Sequence, residues 1–287
     1  MTFVKKSFLL LTVLVMMMTT LPATAESAAF SGTIIHTYDS PTLRYTVEEF
    51  TLEGALCYLT RIWMADPGRQ ILKATAHWEK DLSYPSDMAK QIPQAALAIN
   101  GSGYVSPVFP WIPENYPGTS PDYHYTPLGS LTITNGEIFR NLPGVPYYGL
   151  TLQKDGLHLH VGEDNEAVLS QQPTQTWSFY VECPLIQDGV SILDRSWPFA
   201  NRKAIRNMIG QVDENNYVIL TVSHKAGRGL TVVTCVDFLT QHIKPWWMYN
   251  LDGGPSAALL VRSETDTTLQ VLYGNTSKDT DIMGFCE

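Results

Sequence analysis

The sequence predicts an α+β fold: a single compact domain of strand-rich mixed sheets with a few flanking helices. Three observations carry that expectation. Apolar and polar residues alternate through 45–77, with β-branched and aromatic side chains enriched. Asn135-Gly136 and Asp155-Gly156 are hairpin-turn signals, each set between strand-like runs. Helix start and stop signals bracket only two segments, 86–94 and 232–243.

Residues 1–25 stand outside that domain. Lys5 and Lys6 precede an apolar run over 8–18, and Ala23-Thr24-Ala25 then supplies small residues before Glu26. This is the pattern of a secretory signal cleaved near Ala25, which places the product outside the cell or in its envelope. The run is shorter than the roughly 20 residues that span a bilayer. No other stretch is long and apolar enough, so no transmembrane segment is expected in residues 26–287. Loss of Lys5 and Lys6, with no acidic residue in 1–25, takes the formal charge from −9 down by two to −11. An acidic chain without a Lys/Arg cluster excludes nucleic acid as a partner. Any phosphate must be held by a few local Arg residues and backbone amides. Cys57, Cys183, Cys235 and Cys286 show no metal-binding spacing, so they are expected to be structural, free or bridged, in any of three pairings. Neither a cofactor nor a metal is expected.

In chain order, residues 26–44 read as a leader into the fold. Strands follow over 45–52, 55–65 and 71–78, the last two joined by an Asp66-Pro67-Gly68 turn. Ser86 or Asp87 caps the first helix and Pro93 closes it. AALAI (95–99) is a buried apolar strand that ends in Asn100-Gly101. Six Pro and several aromatics make 105–127 a long loop, of a kind suited either to a sugar ring or to packing on itself. Hairpins over 128–139 and 147–161 come next, then a strand at 176–181. His158 and His160 share one strand face there, as solvated histidines rather than a metal pair, since no carboxylate or Cys pattern completes a site. Residues 217–222 form a strand after the 213–216 turn, Thr231 caps the second helix, and Pro245 ends it. Strands at 259–261 and 269–273 lead to a short polar tail ending at Cys286.

The most informative stretch is WWMYNLDGGPSAALL (246–260). A short strand, buried on both faces, runs into Asn250-Leu251-Asp252, and Gly253-Gly254-Pro255 forbids its continuation. Asp252 is thereby held at the rim of a sheet, either to accept its own turn's N–H groups or to do chemistry. Each half of the chain runs helix, apolar strand, then Asn and Gly at the strand's end. Ligands gather beyond such strand ends, so Asn100 is expected to approach residues 250–254 in space.

NLDGG followed by a small residue and Ser resembles the signature of the phosphodiester glycosidase family, which reads NLDGGGSS. Here Pro255 replaces the third Gly and Ala257 the second Ser. Residues 98–104 (AINGSGY) resemble the family's AINGGFF, with Ser102 breaking the Gly pair. Arg206–Gly210 resembles its Arg-Thr-Ala-Ile-Gly segment, and the 223–231 loop its polar loop before a helix. The resemblance spans roughly 70–284. It implies an exported hydrolase that cleaves the bond between a sugar's anomeric carbon and phosphate, with a glycosyl phosphodiester or phosphorylated glycan as partner.

That reaction needs fixed positive charge on the leaving phosphate and a carboxylate near an oxocarbenium-like centre. The implied catalytic residues are Asp252, as base, nucleophile or orienter, Arg206 at the phosphate, and Asn250. The implied substrate-binding residues are Asn100, Gly101, Arg228, His224, Gly253 and Gly254. Glu79, Asp81 and Asp122 are the conceivable second carboxylates. A trypsin-like reading of Thr75-Ala76-His77 with Asp252-Gly253 fails, because Gly253 stands where a Ser nucleophile is needed. The alternative is a non-catalytic glycan-binding or envelope polysaccharide assembly module on the same scaffold.

Overall fold

The computed structural model describes residues 30, 32–77, 81–105, 125–224, 227–263 and 267–287. The expected signal segment, most of the Pro-rich loop, Glu79 and Asp122 lie outside the described residues.

The early alternation forms β2 (Leu43–Leu52) and β3 (Ala55–Met64), paired antiparallel throughout. The supposed leader contributes β1 (Thr33–Asp39), an edge strand on β2. Asp66-Pro67-Gly68 is not a hairpin turn. Pro67 opens a helical turn, α1 (Pro67–Gln70), that carries the chain from one sheet to another. β4 (Ile71–Thr75) therefore does not pair with β3. The first expected helix is shorter than read, α2 (Pro85–Met88) plus a 3-10 turn at Ala89–Gln91. Pro85 at its first position moves the cap to Tyr84.

β5 (Ala95–Asn100) is buried along its length. The two-residue strands β6 (Tyr104–Val105) and β7 (Thr126–Pro127) pair with each other. β8 (Leu131–Thr134) and β9 (Glu137–Asn141) turn on Asn135 and Gly136, both at positive φ as an Asn-Gly hairpin requires. β10 (Tyr147–Gln153) and β11 (Gly156–Glu163) turn on Lys154-Asp155, one residue earlier than read. His160 is buried, not solvated. One nitrogen meets Thr151 Oγ1 at 2.8 Å, the other Glu163 at 3.0 Å.

α3 (Asn165–Ser170), β12 (Gln175–Ser178), β13 (Pro184–Gln187) and β14 (Val190–Ser191) follow. The Arg206 segment is itself a strand, β15 (Arg206–Gln211), paired with β16 (Asn216–Val222). Thr231 Oγ1 accepts the Thr234 N–H to cap α4 (Val232–His242), the one long helix among the described residues. β17 (Trp247–Asn250) is wholly buried, and after Leu251-Asp252 the residue Gly253 caps a 3-10 turn over Gly254–Ser256. β18 (Ala258–Arg262) and β19 (Leu269–Gly274) form a hairpin. The C-terminal residues are not a polar tail. β20 (Asp281–Cys286) lies between β5 and β4 and is buried throughout, as its apolar run IMGFC demands.

An eight-stranded sheet (β1-β2-β3-β16-β15-β17-β13-β14) faces a five-stranded one (β19-β18-β5-β20-β4), with a three-stranded sheet (β11-β10-β12) beside them. Between them lies a core that includes Tyr45, Leu97, Ile209, Tyr249, Leu259 and Phe285. α4 covers the outer face of the large sheet, packing Val236 and Leu239 on Met208 and Leu220. α2 and its 3-10 turn cover the outer face of the smaller sheet through Met88 and Ile92. The fold is thus strand-rich α+β, with helices flanking two packed sheets. No helix of the described residues is long and apolar enough to cross a membrane. All four cysteines are buried and unbridged.

Candidate active site

The two strand ends marked by sequence meet. Asn100, at the end of β5, donates its amide N–H to the carbonyl of Asp252 (2.9 Å), and Asp252 N–H donates to the Gly101 carbonyl (3.2 Å). Asn207 on β15 closes the joint by donating to Asn100 Oδ1 (2.8 Å) and the Ala258 carbonyl (3.0 Å), while accepting the Thr221 hydroxyl (2.8 Å). Asn100 and Asn207 are fully buried, and every polar atom on their amides is engaged. Asn100 is therefore a latch between loops.

Three glycines let the loops close. A Cβ on Gly101 would collide with the Asp281 carboxylate and the Trp177 ring. On Gly253 it would come within 2.7 Å of the Ile205 carbonyl, and Gly254 sits at φ +60. The two departures from the signature fit this geometry. Ser102 N–H donates to Asp281 Oδ1 (2.7 Å), and Ser102 Oγ accepts the Ser178 N–H (3.3 Å). Pro255 is exposed in the first turn of the 3-10 helix, where a missing N–H costs no internal bond.

Three carboxyls gather here. Asp252 is partly buried and Asp279 and Asp281 are fully buried. Burial pushes Asp252 up to about 6, although the Gly253 N–H (2.7 Å) and the Ser256 hydroxyl favour its charged form; Asp281 raises it further. Burial, then Asp252, then Asp281 hold Asp279 well above the ordinary carboxylate range. Its Oδ1 accepts the Thr280 N–H (2.7 Å), and its Oδ2 has no hydrogen-bond partner. Asp281 pairs with Lys73 Nζ at 3.0 Å, with neither side chain exposed. Lys73 also donates to the Thr176 carbonyl (2.6 Å) and lies 5.4 Å from the centre of the Trp177 ring. Burial and the neighbouring Asp252 raise both phenols at the site, that of Tyr180 to about 12 and that of Tyr104 further.

The remaining residues marked by sequence lie around this cluster. Arg206 alternates with Asn207, so its side chain points to the α4 face. It is only 7% exposed, and Nη2 donates to the carbonyls of Phe199 (3.0 Å) and Arg202 (2.8 Å). Its Nε is buried without a hydrogen-bond partner, and burial lowers its pKa. Asn250 is buried on that same face, its amide donating to the Leu251 carbonyl (2.8 Å) and its Oδ1 unpartnered. Sequence put Arg206 and Asp252 on one cavity; the pleat turns the guanidinium to the other side of the sheet.

His224 is exposed, Nδ1 lies 3.0 Å from the Tyr273 hydroxyl, and with Ile205 and Gly254 it lines a pocket of 220 Å³. Arg228 is exposed in the same loop. Asp81 is not a second carboxylate of the site, since it pairs at the surface with Lys278 (2.9 Å). Among the described residues no Arg or Lys forms an ion pair with Asp252 or Asp279. The sequence reading missed Asp279, Asp281, Lys73, Asn207, Tyr104 and Tyr180. Asp279-Thr280-Asp281, directly before an apolar strand, was the available signal.

A model of the phosphodiester glycosidase family matches residues 94–282. The fold is similar to the catalytic domain of zebrafish N-acetylglucosamine-1-phosphodiester alpha-N-acetylglucosaminidase auto-inhibited by its pro-peptide. That likeness has a TM-score of 0.63 at 16% identity, over 90% of this chain and 86% of the other. It is also similar to a hypothetical protein from Synechocystis, with a TM-score of 0.56 at 12% identity, over 88% of this chain and 63% of that one. At such identities the likeness is one of fold. No curated protein sequence matches the chain. The family model covers more than half of the sequence and takes in both fused turns and the carboxyl cluster: the chain belongs to the phosphodiester glycosidase family.

Proposed function

We propose that this chain is an exported hydrolase of glycosyl phosphodiesters in an envelope or extracellular glycan, cleaving between the anomeric carbon and phosphate. The observation that carries the reading is partly buried Asp252, locked to the Asn100–Gly101 turn, with its carboxyl raised by burial to about 6. A carboxyl poised near working pH suits proton transfer to or from water at an anomeric centre. Asp279, buried behind it, keeps the proton that the two like charges cannot both lose, which leaves Asp252 ionised to act on water or on the sugar. Tyr104 and Tyr180 flank it as neutral hydroxyls.

In this reading Arg228 and His224 approach the phosphate from their exposed loop. Gly253 and Gly254 bring backbone close to substrate. Arg206 supports the turn beneath, its backbone lying under Gly253. A phosphodiester is a good leaving group, so charge stabilisation matters more than protonation of the departing oxygen.

The test is incubation of residues 26–287 with an aryl α-N-acetylglucosaminyl phosphodiester, scored for released sugar. Asp252→Asn should lower turnover by roughly 10²–10⁴-fold. Absence of turnover on a panel of such diesters refutes the reading. The second reading, a glycan-binding module, is favoured by the lack, among the described residues, of a cation ion-paired with Asp252 or Asp279. It requires that Asp252→Asn keep full affinity for the glycan and that neither protein release sugar.

A further inference from the structure

The large sheet carries a second cleft at its opposite end. β15 runs from Arg206, beside the carboxyl cluster, to Gln211, and β17 runs back from Trp247 to Asn250. At the Gln211–Trp247 end, five connections converge: the one after β3, the β10–β11, β13–β14 and β15–β16 turns, and the α4–β17 connection that carries Trp246. They enclose a cleft of 660 Å³. Asp252 lies six positions beyond Trp246, and an extended chain advances about 3.3 Å per residue, so the cleft lies roughly 20 Å from the candidate active site.

We propose that this cleft binds a short neutral oligosaccharide. Trp246 lines it while 52% exposed, an unusual state for a large aromatic. Its indole N–H donates to Asp188 Oδ1 (3.1 Å), so the ring is pinned at the rim with apolar surface on offer. Trp247 beside it is buried and tied to Gln211 Oε1 (2.7 Å), which stiffens the floor. Around this platform stand planar polar groups, Asp66, Asp155, Gln187, Asp188, Glu214 and Asn215, which match the paired hydroxyls of a pyranose.

Charge selects the class of ligand. Among the described residues no Lys or Arg lines the cleft, so it rejects phosphate and other anions, unlike the candidate active site. Three of its four carboxylates already have a donor beside them: Arg69 at 3.5 Å from Asp66, His158 at 2.7 Å from Asp155, and the Trp246 indole on Asp188. They are therefore oriented acceptors rather than an open demand for a cation. The volume falls within the range of pockets that hold drug-sized ligands, which is room for a few sugar rings. If the hydrolase reading holds, the cleft would tether a glycan chain whose phosphodiester reacts at Asp252, raising its local concentration.

The test is an NMR titration of uniformly ¹⁵N-labelled residues 26–287 with cellotetraose, mannotetraose and the N-acetylglucosamine tetramer, using spermine as the cationic control. At least one tetramer should shift the Trp246 indole N–H, identified from the Trp246→Ala spectrum, with a Kd of roughly 0.1–5 mM. Trp246→Ala should weaken that binding at least ~10-fold with an unchanged amide spectrum elsewhere. Asp252→Asn should leave it intact, which separates this site from the catalytic proposal. Three outcomes overturn the proposal. One is no shift of the Trp246 indole with any tetramer up to about 10 mM. The others are equal binding by Trp246→Ala, and a response to spermine alone.

Discussion

Replacing Asp252 by Asn should make the folded protein less sensitive to alkaline pH while it removes turnover. An unfolded Asp titrates near 3.8, whereas Asp252 in the fold is held up to about 6. The folded state therefore binds this proton more tightly than the unfolded chain. Stability from Asp252 is fully present below about pH 4 and is lost as pH rises through about 6. The separation corresponds to about 3 kcal/mol, lost by wild type between pH 4 and pH 8. Asn carries no such proton. Asp279 is coupled to Asp252 and titrates with it as a pair, so part of its own pH dependence should change as well. The assay is urea unfolding of both proteins at pH 4, 6 and 8. Wild type should lose about 3 kcal/mol more than the variant across that range, which is roughly 6–12 °C in Tm. Parallel pH curves for the two proteins would refute the claim that burial raises this carboxyl.

Three further changes probe the frame around the site. Lys73→Met leaves Asp281 buried and unpaired, so it should cost about 3–5 kcal/mol in urea unfolding, partly restored by Asp281→Leu in the same chain. Restoration should be incomplete, because Ser102 N–H also donates to Asp281. Asn207→Ala removes the amide that joins Asn100, Thr221 and the Ala258 carbonyl, and should cost about 2–4 kcal/mol by the same measurement. Gly101→Ala puts a methyl against the Asp281 carboxylate and Trp177, and should lower the thermal midpoint or the yield of folded protein.

Local chemistry made much of this protein legible. Asn135-Gly136 strongly favours the turn with both φ positive that it adopts, so the β8–β9 hairpin was readable from two residues. Thr231, with Pro245 beyond the other end, bracketed α4 to within a residue. The apolar runs before Asn100 and Asn250 could only be buried strands, and their shared ending in Asn and Gly pointed to a common site. The meeting of those ends is seen in the bonds between Asn100, Gly101 and Asp252.

What sequence by itself determined was therefore the type of most elements and the segments that carry chemistry, because propensity, turns and caps act over a few neighbouring residues. Tertiary structure alone decided which strands pair and which way each side chain faces. β4 left β3 for another sheet through the Pro67 helical turn, and the C-terminal residues became a central strand beside β5. The pleat turned Arg206 toward α4 and gave Asn207 the inward position. Asp281 found Lys73 more than two hundred residues away. Such pairings follow from two sheets burying one common core, a condition that no window of local sequence contains.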